Sequence, residues 1–232
     1  MMRFLQIEIM KYKLSKIIYT FFLYISLMAF LLFLLGISTG GMYMYDTMET
    51  AIREVNNALI WPGCIVVIGI WSSKIIVQEF KEKTIQIVFS LGIERQSIMR
   101  TKIILTVVFG FILTLLSTFL LDLFLNVTTE YMYYSETAIN YFDRLRIKNI
   151  LGDMAISAVL VSFMGILPTA IGIKKYSSSL TYGCSIIIAL LWAMQIGFDI
   201  FFLSITGIRV IFCLCSMVGA AYIMGSCRRM DL

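Results

Sequence analysis

Ile103–Val127 reads IILTVVFGFILTLLSTFLLDLFLNV, with Asp122 its one charged residue. Wound as an α-helix at 1.5 Å per residue, the stretch is about 37 Å long, more than the roughly 30 Å of hydrocarbon in a bilayer. Lipid offers no hydrogen-bond partner, so a crossing segment must satisfy its backbone within itself, as an uninterrupted helix does. The stretch therefore predicts a transmembrane helix. Outward from it in both directions the pattern recurs at Ile17–Gly36, Ala58–Val77, Ile150–Ile173, Leu180–Leu203 and Ile208–Gly225. Six crossings and no soluble module define an all-α integral membrane protein, a single domain over residues 1–232.

Composition points the same way. Hydrophobic residues make up 60% of the chain and charged residues 14%, with a mean hydropathy of +0.91. Soluble domains run at roughly 45–50% apolar and about 25% charged, so a soluble core does not account for this surplus.

The cations set the orientation. Arg3, Lys11, Lys13, Lys16, Lys74, Lys81, Lys83, Arg95, Arg100, Lys102, Lys174, Lys175, Arg228 and Arg229 fall on the side of the N-terminus. Only Arg53, Arg144, Arg146, Lys148 and Arg209 fall on the other. Lys and Arg accumulate on cytoplasmic loops, so both termini are expected in the cytoplasm of a multi-pass protein of the cell membrane, a bacterial plasma membrane by preference. The +5 net charge is then matched by anionic inner-leaflet lipid, and no nucleic-acid partner is called for. Residues 1–16 mix Phe4, Leu5, Ile7 and Ile9 with Arg3, Glu8, Lys11 and Lys13, which suits a helix lying at the cytoplasmic interface. The first apolar run is longer than a signal-peptide core and lacks a small-x-small cleavage site, so it is expected to be retained.

Several chemistries are excluded. Gly36-Ile37-Ser38-Thr39-Gly40 fits a G-x-S-x-G nucleophile turn, but the chain has no histidine to activate the serine, and the nearest lysines lie at the opposite membrane face. Without histidine, and with five cysteines none of which forms C-x-x-C, no zinc or haem site is expected. The phosphate-loop pattern G-x-x-x-x-G-K-[ST] is also absent, so any nucleotide must bind to another polypeptide. The chain itself is expected to be neither an enzyme nor a cofactor binder.

The segment from Gln78 to Lys102 reads QEFKEKTIQIVFSLGIERQSIMRTK. Its apolar centre, Ile85 to Leu91, is too short to span and is flanked by Glu79, Lys81, Glu82 and Lys83 on one side and Glu94, Arg95, Arg100 and Lys102 on the other. Such a stretch at the inner surface buries itself in a partner's groove or in the lipid interface. This segment resembles the corresponding loop of ABC-2-type exporter permeases. There an acidic residue leaves the second helix, a Thr follows, and a pattern like Leu-Ser-x-Pro-x-Ser-Arg leads to a Lys that opens the third helix. Glu79, Thr84, Ser90, Leu91, Arg95 and Lys102 occupy matching places, while Gly92 stands where the family usually has Pro and Glu94 replaces a small or polar residue.

The resemblance implies that residues 78–102 form a coupling segment docking on a separate ABC ATPase, with Glu79, Thr84, Ser90, Leu91 and Arg95 as the coupling residues. It implies ATP and Mg on that partner, and a second permease copy or paralogue completing a homo- or heterodimer. It further implies export of an amphipathic peptide, hydrophobic drug or lipid-like cargo by alternating access, as in bacterial peptide-export and immunity permeases. The alternative from another class is an ion-coupled secondary transporter with no ATPase partner, which needs acids or polar groups at mid-membrane depth.

Ionisable residues in spans are expensive and therefore candidates for function. Asp122, Asp153 and Asp199 fall at similar depth toward the outer face, as an acidic vestibule would require; hydration, or pairing with Arg144, Arg146, Lys148 or Arg209, is the simpler account. Pro168, flanked by Gly165 and Gly172, removes a backbone donor within the fourth span and marks a hinge or a static kink.

Overall fold

The structure, a computed structural model, describes residues 14–38, 48–81, 95–132, 144–194 and 205–229. Among them every regular element is helical. Helix α1 is Leu14–Ser38. A long composite rod follows: α2 (Met48–Val55), a π-helical turn (Asn56–Ile60), α3 (Trp61–Ser72), a second π-helical turn (Ser73–Val77) and α4 (Gln78–Lys81). Then come α5 (Arg95–Met132), α6 (Arg144–Met164), α7 (Leu167–Lys175), α8 (Ser178–Met194) and α9 (Ile205–Arg229).

The first, third and sixth predicted spans each fall on one helix, the second falls within the composite rod, the fourth is divided between α6 and α7, and the fifth is helical to Met194, its last residues lying outside the described ones. Ile52–Lys81, Ser97–Leu125 and Met154–Lys175 are long and apolar enough to cross a membrane, and Tyr19–Leu34, Ser178–Ala193 and Ile211–Gly225 form shorter apolar helices. The interfacial helix expected over residues 1–16 lies almost wholly outside the described residues, which begin at Leu14.

The bundle is built around α3. It packs on α5, α6 and α8, while α9 lies against α5, α6 and α7, and α1 against α5. Ile60, Cys64, Ile65 and Ile68 are buried at its centre with Leu113 and Leu121 of α5, Val161 and Met164 of α6, and Trp192 of α8. Trp61 meets Trp192 edge to face with ring centroids 6.2 Å apart, and Trp71 meets Phe109 at 5.8 Å. Such pairs add about 0.5–1.5 kcal/mol beyond their area.

Helix α5 shows how a membrane sequence sorts its faces. Ile104, Val108, Ile112, Leu116, Phe119, Leu123 and Val127 recur at helical spacing and are exposed, the side a bilayer would cover. Thr101, Thr106, Thr114, Ser117, Thr118 and Asp122 lie on the buried side. The hydroxyls are satisfied along their own helix: Thr106 donates to Lys102 O at 2.9 Å, Thr114 to Gly110 O at 2.8 Å and Ser117 to Leu113 O at 2.7 Å. This back-bonding satisfies polar side chains that sit inside the bundle.

Two boundaries differ from the sequence reading. The expected loop over 78–102 keeps helix at both ends, because Phe80, Ile98 and Met99 are buried on the face that continues the spans. The fourth span, expected as one helix over Ile150–Ile173, breaks between Met164 and Leu167. Thr169 N turns to Ile166 O at 3.0 Å, and Pro168 has no N–H to give to Met164, so the α-helical ladder is interrupted there.

Candidate functional site

Two polar ties clamp the second span to the third, one at each end. At the lysine-rich end, Lys102 of α5 and Glu79 of α4 form an ion pair with the two side chains 1% and 7% exposed. Lys102 Nζ also reaches Ile75 O at 3.3 Å. Burying a lone ammonium or carboxylate is prohibitive, and in this pair each charge neutralises the other. The resemblance implies a coupling role for Glu79 at the ATPase contact, whereas its carboxylate is turned into the bundle. Lys102 is the residue sequence reasoning left without a role of its own.

At the opposite end, Asn56 Nδ2 donates to Asp122 Oδ2 at 3.3 Å. Asn56 sits in the first π-helical turn, and both residues are only 4% exposed. Asp122, expected to face outward in an acidic vestibule, is thus enclosed against the second span. The Asp153 side chain lies outside the described ones, although its backbone is in α6, and Asp199 lies outside the described residues. Nothing described brings the three acids together.

Between the ties, the second span makes polar contacts to the first and fourth spans. Tyr24 of α1 donates its hydroxyl to Ile60 O at 2.8 Å and lies 3.5 Å from Cys64 Sγ. In the lower half, Ser72 Oγ lies 3.0 Å from Gly69 O and 3.3 Å from Gly165 O. Gly165 O is the acceptor released when Thr169 N bonds Ile166 instead, so a hydroxyl from the second span covers the break in the fourth. Pro168 stands in the first turn of α7, immediately past that break.

The lysine-rich end is closed by a tight turn between α7 and α8. Tyr176 takes a left-handed conformation, φ 48°, with Ser177 N bonding Gly172 O at 3.1 Å. Its ring leans on Phe80 at 6.4 Å between centroids, beside the Glu79–Lys102 pair, while Lys174 and Lys175 are exposed. Of the other expected coupling residues, Thr84, Ser90 and Leu91 lie outside the described residues; Arg95 opens α5, its side chain outside those described. Among the described residues no group of His, Cys, Asp and Glu is arranged to hold a metal ion.

These features define a polytopic helical membrane protein in which, among the described residues, polar side chains are buried inside the bundle and large apolar side chains cover the exposed faces of the spans. Residues 4–197 match the family described as ABC-2 family transporter protein. The chain belongs to that family and is the membrane permease type of ABC transporter component. No curated protein and no solved structure matches it.

Proposed function

We propose that this chain is the membrane-spanning subunit of an ATP-driven exporter, moved by a separate ATPase and working beside a second permease copy or paralogue. The observation that carries the reading is the family match across residues 4–197. The geometry supports the route by which force enters. Residues 82–94 connect α4 to α5, and the Glu79–Lys102 pair ties those two helices at their connected ends. A push on the connecting segment, with Thr84, Ser90 and Leu91 within it and Arg95 at the start of α5 as the contact residues, then moves the second and third spans as one lever. Glu79 serves this by holding the lever together from inside. Pro168, beside the break in the fourth span, is the joint against which the lever turns, and both termini face the ATPase side.

Cargo follows from what the bundle presents. Glu79, Lys102 and Asp122 are turned inward onto polar partners, and large apolar side chains such as Phe22, Leu116, Ile187 and Val218 are exposed on α1, α5, α8 and α9. That suits an amphipathic peptide, a hydrophobic drug or a lipid-like molecule better than a free ion or sugar.

The test is co-expression of the chain with candidate nucleotide-binding subunits, affinity capture from membranes, and uptake of labelled amphipathic peptide into inverted vesicles. Capture of an ATPase and ATP-dependent uptake that Arg95→Glu abolishes is the expected result. Transport by the purified chain alone on an ion gradient would replace this reading with an ion-coupled carrier.

A further inference from the structure

We propose that Asn56 and Asp122 form a proton-binding site within the membrane, in which Asp122 is an uncharged carboxylic acid paired edge to edge with the Asn56 amide. The Asn56 Nδ2 donates to Asp122 Oδ2 at 3.3 Å. The other two oxygens, Asn56 Oδ1 and Asp122 Oδ1, are buried and have no hydrogen-bond partner among the described residues. Each residue is only 4% exposed.

Two acceptors are left over, and among the described residues no donor serves them. An orphaned buried acceptor costs about 1–3 kcal/mol, and more when it is charged. One proton on Asp122 Oδ1 removes both defects, because the resulting O–H is the donor that Asn56 Oδ1 lacks. An amide and a carboxylic acid present matching edges, one donor and one acceptor each. Exchanging the amide's nitrogen and oxygen does not alter the conclusion: Asn56 oxygen would then face Asp122 Oδ2, two acceptors that again need a proton between them. A hard divalent cation in this place would need six or more oxygens, which two side chains do not supply.

Few charges compete for Asp122. On the second span the flanking charges are Arg53 and Glu54, both exposed. Among the other elements packed on α5, α3 carries none, and α1 and the second π-helical turn carry Lys16 and Lys74 toward the opposite end. Helix α6 carries Arg144, Arg146, Lys148 and Asp153, and α9 carries Arg209, Arg228 and Arg229. Within α5 itself no charged residue lies between Lys102 and Asp122, and Glu130 follows two turns beyond Asp122.

The consequence is a proton linked to a helix contact. While the pair is closed, this end of the contact between the second and third spans is uncharged. When the helices part and water reaches Asp122, the Oδ1–H bond breaks, the proton passes to water and the carboxylate keeps the electron pair. Closing the contact takes one proton back. This holds whatever energy source drives the protein, so it stands or falls apart from the exporter reading.

The experiment is infrared spectroscopy of the full chain in lipid nanodiscs at neutral pH. The expected result is a protonated-carboxyl C=O band that moves on exchange into heavy water. It is lost in Asp122→Asn, an isosteric change that keeps a donor toward Asn56, and it rises in frequency in Asn56→Leu as the acid loses its amide partner. Absence of the band in the wild type, or its persistence in Asp122→Asn, overturns the proposal. A band that Asn56→Leu leaves unmoved equally overturns the pairing.

Discussion

Lys102 and Glu79 meet across the base of the second and third spans with almost no exposure to solvent. Removing one partner leaves the other as an uncompensated buried charge, at a cost of about 3–5 kcal/mol. Lys102→Met and Glu79→Leu are each expected to lower the thermal unfolding midpoint sharply in detergent. The double variant Glu79→Leu with Lys102→Met recovers most of the loss, since an apolar pair of similar volume fills the same space. A double variant no better than the singles would mean that the charges do not compensate each other.

Ser72 covers the carbonyl of Gly165 where the fourth span breaks. Ser72→Ala exposes that carbonyl to an apolar surround and is expected to destabilise by about 1–3 kcal/mol. Pro168→Leu has the opposite local effect: the restored N–H at this position can bond Met164 and continue the helix. Amide exchange at residues 165–169 is expected to quicken in the first variant and slow in the second. Equal exchange in both would mean that neither side chain governs the break.

Gly172 lies against Thr181 so closely that an added Cβ would overlap its hydroxyl, whereas Gly183 faces open space. Forcing volume into a packed contact costs about 1–3 kcal/mol. Gly172→Val is therefore expected to lower the unfolding midpoint, and Gly183→Ala to leave it unchanged or raise it slightly through helix propensity, worth up to about 1 kcal/mol. A matched loss in both would show that the two helices are not packed in this way.

The hydrophobic runs made the six spans readable, because a bilayer demands about 20 apolar residues per crossing whatever they touch. The ties were harder to see. Lys102 and Glu79 look like loop charges when counted singly, and Asn56 precedes the apolar run that begins at Ala58. A signal was nevertheless present. The buried positions Ile60, Cys64, Ile68, Ile75 and Ile76 recur at helical spacing, and the same stripe extended both ways arrives at Asn56 and Glu79. Opposite charges on two stripes that face each other announce a pair, but the facing itself depends on tertiary packing. The fold of the fourth span was legible only as a warning at Pro168, since a proline shows that the ladder is interrupted and not which group will satisfy the freed carbonyl.

Leu113 and Leu116 test the assignment of faces on α5. Leu113 is buried in the core and Leu116 is exposed on the apolar surface. Leu113→Ala removes packed atoms and leaves a cavity, at about 2–5 kcal/mol. Leu116→Ala exchanges one apolar surface for another against lipid tails that are as apolar as leucine, so near-neutral stability is expected in nanodiscs. Reversed effects would mean that the helix is rotated from the orientation described.

The two π-helical turns explain how both ties close at once. Twenty-three positions separate Asn56 from Glu79 along the second span, and twenty separate Lys102 from Asp122 along the third. Two plain antiparallel α-helices would lose register by roughly 4.5 Å over that distance at 1.5 Å per residue. A π-helical turn is wider and takes up an extra residue within an otherwise α-helical rod, so two of them bring the longer count close to the shorter. Deleting Ala58, inside the first turn, is expected to convert it to regular helix and keep the flanking faces aligned. Deleting Val66, inside α3, rotates everything beyond it by about 100° at 3.6 residues per turn and buries the wrong face. Size-exclusion profiles and thermal midpoints should therefore show a folded protein for the first deletion and aggregation for the second; comparable damage from both would show that the π-helical turn does not carry the extra residue.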